Sequence, residues 1–122
     1  LKSGAVATSV AHDSHNIITV GCNDDDIAVA VNAIKDSKGG IAVVENGKIK
    51  ALLELPIAGL MSDEPLTTVN EKLENAKLSA YELGADKSID PFMTLSFLSL
   101  PVIPSLRITT KGVFDAENWK ML

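Results

Sequence analysis

Cysteine is all but missing from this sequence: Cys22 stands alone among 122 residues, so no disulfide can form within the chain. Stability must come from packing, and a lone thiol fits a reducing, cytoplasmic compartment. Aromatic residues are also scarce, with three Phe, one Tyr and one Trp. The core therefore has to be assembled from Ile, Val, Leu and Ala. Basic clusters are absent too: eleven Lys and Arg are scattered among sixteen Asp and Glu, for a net charge of −5. A surface without phosphate-neutralising stripes excludes nucleic acid and anionic membranes as partners. No apolar run approaches the ~20 residues of a membrane span, since Pro101 and Pro104 break the longest one. Residues 1–4 lack the basic start and apolar run of a signal peptide. Nor is there a Gly-x-Ser-x-Gly elbow or a phosphate-cradling loop, because Gly39 and Gly40 are not followed by a Lys-Ser/Thr pair.

What remains is an ordinary globular composition, 46% apolar and 22% charged, long enough for one domain that buries about two-thirds of its unfolded surface. Ala5 to Ala11 and Ile17 to Cys22 are short, β-branched segments flanking five polar residues, which predicts two antiparallel strands. Asn23 with Asp24, Asp25 and Asp26 opens a helix; acids in a first turn cap free N–H groups and complement the dipole without needing a cation. Ile27, Ala30, Val31 and Ile34 fall on one face of that helix, and Gly39-Gly40 stop it. Asn46-Gly47 between two apolar runs predicts a hairpin, since both turn positions need positive φ. A second helix starts over residues 62–65, with a capping oxygen and Pro65 in its first turn. It buries Leu66, Val69, Leu73, Ala76, Ala80 and Leu83 and ends at Gly84. Asp90-Pro91 starts a short third helix carrying Phe92, Leu95 and Leu98, which must break before Pro101. Leu106 to Thr109 and Val113-Phe114 read as strands. With no sustained βαβ alternation, the expected class is α+β. The expectation is a single compact domain over 1–122, with a largely antiparallel sheet of about five strands, two longer helices and one short helix.

The densest polar cluster is His12, Asp13, Ser14, His15 and Asn16, which holds both histidines. Two imidazoles three residues apart can serve as metal ligands, or as an acid and a base held by Asp13. The same residues also suit a plain polar turn in which Asp13 and Asn16 bond their own backbone. A metal site built here would need a further protein ligand from elsewhere. Cys22 ends an apolar strand with no adjacent base, which predicts a buried, inert thiol. Read from its residues alone, the sequence contains no catalytic constellation.

Three segments together carry a resemblance. Residues 4–18 (GAVATSVAHDSHNII), 56–63 (PIAGLMSD) and 90–104 (DPFMTLSFLSLPVIP) resemble, in order and spacing, the C-terminal domain of bacterial adenine deaminases. The match extends over nearly the whole chain. It implies a hydrolase of the amidohydrolase superfamily that converts adenine and water to hypoxanthine and ammonia, in purine salvage. In such enzymes iron or manganese is held by His, Glu and Asp of a (β/α)₈ barrel that lies upstream. The resemblance thus implies no catalytic residue and no metal ligand in this chain, and an isolated domain that is inactive. Its implied partners are the barrel of the same polypeptide, adenine as substrate, and further copies in a homo-oligomer. The opening at Leu1, without an initiator Met and directly before a strand, reads as a fragment of that longer enzyme. Within it, His12, Asp13, Ser14, His15 and Asn16 are the residues expected to face the purine site. Two other classes stay open: a purely structural or oligomerisation module using the apolar run 92–103, and a free-standing small-ligand binder using the loops 12–16 and 59–63.

Overall fold

The computed structural model describes residues 1–122. Strands β1 (Ala5–Thr8), β2 (Ile18–Gly21), β3 (Gly40–Glu45) and β4 (Lys48–Glu54) form an antiparallel sheet in the order β2-β1-β3-β4. The helix α1 (Asp24–Asp36) links β2 to β3 across one face, while α2 (Leu66–Glu82) and α3 (Pro91–Ser96) cover the other. Alternation along the central strands divides the core. Ala5 and Ala7 of β1, with Ala42 and Val44 of β3, pack on Ala30, Ala33 and Ile34 of α1. Val6, Ile41 and Val43 point the opposite way, into Ala76, Ala80 and Leu83 and onto Phe92 and Leu95. Three alanines on the α1 side let that helix lie close to the sheet. Because β1 and β3 are covered on both faces, they read as continuous apolar runs rather than alternating ones.

The expected elements are present, with corrections at their ends. The α+β class and the largely antiparallel sheet stand, but the strands divide into two sheets. A second, three-stranded sheet joins β5 (Leu106–Thr109), β6 (Gly112–Asp115) and β7 (Lys120–Met121). The Asn46-Gly47 turn forms as expected, with φ of 52° and 72°. α2 starts at Leu66 with Pro65 at its N-cap and no side-chain cap; Ser62 Oγ instead accepts from Glu64 N–H in a local turn. Leu66, expected in the core, is the first residue of α2 and is 82% exposed. Cys22, expected to be buried, is exposed. β2 has already ended at Gly21, and only the Cys22 N–H is engaged, by Gly4 O.

The acidic start of α1 has a specific task. Asn23 is the N-cap and accepts from Asp26 N–H at 2.8 Å. Asp26, 2% exposed, receives Gly47 N–H at 2.7 Å, Asn46 N–H at 3.3 Å and Asn23 Nδ2 at 2.8 Å. One carboxylate therefore ties the helix start to the tip of the β3–β4 hairpin. The Gly47 N–H, then the Asn23 amide, hold its pKa below the ordinary 3.8 against the opposing effect of burial. A depressed folded-state pKa gives stability that is present above the unfolded value and lost as pH falls through the folded one. Asp26→Asn is thus expected to lower Tm at pH 7, and its deficit relative to the parent should shrink below about pH 4. Thermal melts of both proteins from pH 2 to 7 measure that difference, in which the other carboxylates cancel.

Candidate functional site

The first sequence block meets the second at Ser9 and the third at His12. Beyond β1, Ser9 is buried and bonds in two directions: its Oγ accepts from Gly40 N–H at 2.8 Å and donates to Gly59 O at 2.6 Å. This draws the 56–63 segment, closed by an Ile57–Met61 bridge, onto the end of β1. Ala11 is fully buried. His12 N–H then donates to Ser96 O at 2.8 Å, at the end of α3. The His12 ring stacks on Phe97, with centroids 4.8 Å apart and planes at 25°. Ser99 Oγ donates to His12 O at 3.4 Å. The first and third blocks are thereby joined through His12.

The rest of the loop faces outward. His15 N–H donates to Ala11 O at 2.7 Å, and Nδ1 of His15 accepts from Ala11 N–H at 3.4 Å. The backbone of His15 lies at φ 50°, a left-handed conformation that costs a non-glycine residue about 1 kcal/mol. Asn16 donates to Ser14 Oγ at 3.1 Å rather than bonding its own backbone, as the plain-turn reading expected. Asp13, Ser14, His15 and Asn16 are exposed, and His12 is half-buried.

Two clefts flank the loop. The larger, about 490 Å³, is lined by Asp13, Ser14 and Asn16 of the loop, by Thr109 and Thr110, and by residues that include Ile18, Leu98 and Ser99. Asp13 is its one ionisable lining group. The smaller, about 170 Å³, lies between His12, Phe92, Asp90 and Leu73. Asp90 caps α3 by accepting from Phe92 and Met93 N–H, and it pairs with Lys77 at 3.0 Å. Burial pushes its pKa up, but Met93 N–H and the Lys77 ammonium outweigh that and hold it below the usual carboxylate value. No residue of 59–63 lines either of these two clefts. Phe97, Ser99, Thr109 and Thr110 were not singled out from the sequence as site residues. For Phe97 and Ser99 the signal was available, since both fall inside the block 90–104.

His12 and His15 do not make a metal centre. Their ring centroids are 6.1 Å apart at a 59° tilt, and no group of three or more His, Cys, Asp or Glu side chains is placed to hold an ion. The donors of this chain therefore do not fit the iron or manganese that the resemblance implies for the longer enzyme. No helix is long and apolar enough to cross a membrane.

Residues 1–120 match the family model for the adenine deaminase C-terminal domain. The chain belongs to that family. It is 51% identical, over its full length, to an adenine deaminase of Bacillus pumilus and covers 21% of that protein. It is 54% identical to one from Clostridium acetobutylicum, covering 22% of it. Over 96% of its length it is 56% identical to one from Desulfatibacillum aliphaticivorans, covering 20% of that protein. This adenine deaminase C-terminal domain thus spans about one-fifth of the curated relatives it matches. In the domain the family defines, the 12–16 loop is braced by α3 and is the polar feature on which both clefts open.

Proposed function

We propose that this domain serves an adenine deaminase, the hydrolase that turns adenine and water into hypoxanthine and ammonia, by packing on a metal-bearing barrel and framing its purine site. The family membership over 1–120 carries this reading. The loop geometry supports the finer part. His12 is fixed from three sides by Ser96, Phe97 and Ser99. His15 is held at positive φ with its ring exposed. A loop braced at His12 and strained at His15 that presents imidazole, carboxylate, hydroxyl and amide groups outward suits hydrogen bonding to a neutral heterocycle. That no three His, Cys, Asp or Glu side chains converge here supports the reading that water is activated by residues outside this domain, which is expected to be inactive alone. The setting that goes with this activity is purine salvage in the cytoplasm, by a homo-oligomer.

Kinetics of a full-length adenine deaminase carrying this domain test the loop. Replacing His12 or His15 by Ala is expected to raise KM or lower kcat by about tenfold, the loss of one hydrogen bond to substrate or to a neighbouring group. Changes under about twofold in both constants for both variants would make the loop structural only.

A further inference from the structure

The second sheet leaves an apolar face with nothing on it. Cross-strand partners share a face of an antiparallel pair. The pairings Ile108–Val113 and Leu106–Asp115 therefore put Leu106, Ile108 and Val113 on one side, with Asp115 at its end. Leu106, Ile108 and Val113 are 52%, 66% and 41% exposed. Arg107 and Phe114 pair on the opposite side, where Phe114 meets Trp119 edge-on at 5.3 Å. Strands of four, four and two residues make a sheet too short to be more than marginal in water by itself, so cover on its open face would stabilise it. The body of the domain does not cover it: the backbone link between them is Ile108 N–H to Leu98 O. The exposed face also continues beyond the sheet. Ile108 shares the larger cleft with Ile17 and Leu98, both more than one-third exposed. The result is an aliphatic strip running from the 12–16 loop to the end of β6, with Asp13, Asp115 and Lys120 at its margins.

We propose that this strip is the seat of the domain on the remainder of an adenine deaminase polypeptide, which meets it with an uncharged, aliphatic surface. The occupant follows from what lies outside the domain. The relatives have about four-fifths of their length beyond the matched part, and the matched part is the C-terminal domain, so the cover comes from the preceding chain. A strip of this kind, apolar at its centre with charges only at its rim, is what a permanent interface requires. The inference rests on the reading that the domain works within a longer enzyme.

Hydrogen exchange, measured on this chain alone and on a full-length adenine deaminase that contains it, decides the matter. The chain alone should sediment as a monomer, and its amides over 106–115 should exchange at least about tenfold faster than in the longer protein. In the longer protein, Ile108→Lys should restore fast exchange over 106–115 and Ile108→Val should not. Equal exchange in the two proteins overturns the proposal. So does a dimer of the chain alone with 106–115 protected, because the occupant is then a second copy. These outcomes separate from the loop kinetics: a protected strip with unaltered His12 and His15 variants removes the role of the loop and leaves the interface. An unprotected strip with altered variants does the reverse.

Discussion

Replacing Gly39 by Ala is expected to cost about 3–4 kcal/mol of stability, a large loss for one methyl group. Gly39 lies at φ 130°, where a β-carbon is strained to begin with. The added carbon would also collide with the Cα of Gly59 and stand 2.7 Å from Leu55 O. Both neighbours are backbone, so neither can swing aside as a side chain does. Their positions are fixed further by Leu55 N–H donating to Gly39 O and by Ser9 Oγ donating to Gly59 O. To relieve the clash, the 56–63 segment must lift from the end of β1 and break the Ser9 contact. Gly47→Ala provides the comparison. At φ 72° it carries the conformational penalty but has open space around it, so it should cost only about 1 kcal/mol. Urea melts of the two variants measure the difference. Equal losses would show that the close approach of Gly39 and Gly59 does not contribute.

Phe92→Ala is expected to remove about 3–5 kcal/mol, the usual cost of emptying a buried phenylalanine site. Phe92 is 5% exposed and packs into the cluster with Val6, Ile41, Leu83 and Leu95. Its ring also walls the 170 Å³ cleft beside His12, so truncation enlarges an existing void rather than letting the core close. The consequence for the site is more informative than the loss itself. α3 supplies Ser96 O to His12 N–H, and the residue after it supplies the Phe97 ring. Once its anchor is gone, the His12 amide should exchange faster even where the variant stays folded, whereas Phe92→Leu should cost under about 1.5 kcal/mol and keep that amide protected. Thermal melts and amide exchange of the two variants measure both effects. An unchanged His12 amide in Phe92→Ala would mean that the loop does not depend on α3.

What the sequence made legible was whatever local chemistry determines. The 3.6-residue spacing of Ile27, Ala30 and Ile34, the Asn46-Gly47 turn and the Asp90-Pro91 helix start all depend on residues a few positions apart, and all formed. The polar cluster of residues 12–16 was also visible as a cluster. Its support was not, because Ser99 reaches His12 across 87 residues and Ser9 reaches Gly59 across 50. Asp26 shows the same limit. An acid in a first helical turn is explained by the dipole alone, and nothing nearby announces that this one also holds a hairpin tip 21 residues on. Leu66 is exposed although it is in phase with the apolar face, because helical periodicity says which face is apolar but not which turns of it find a partner. The split into two sheets escaped for a related reason: short strands such as β5 and β6 look alike in sequence whether they join the main sheet or pair with each other.

The most direct test of the proposed role is photolabelling of a full-length adenine deaminase with a light-activated adenine analogue, followed by peptide mapping. Label on the peptide containing His12 to Asn16, suppressed by excess adenine, is the predicted result. Label confined to peptides outside this domain, with full protection by adenine, would contradict it and reduce the domain to a scaffold remote from the purine.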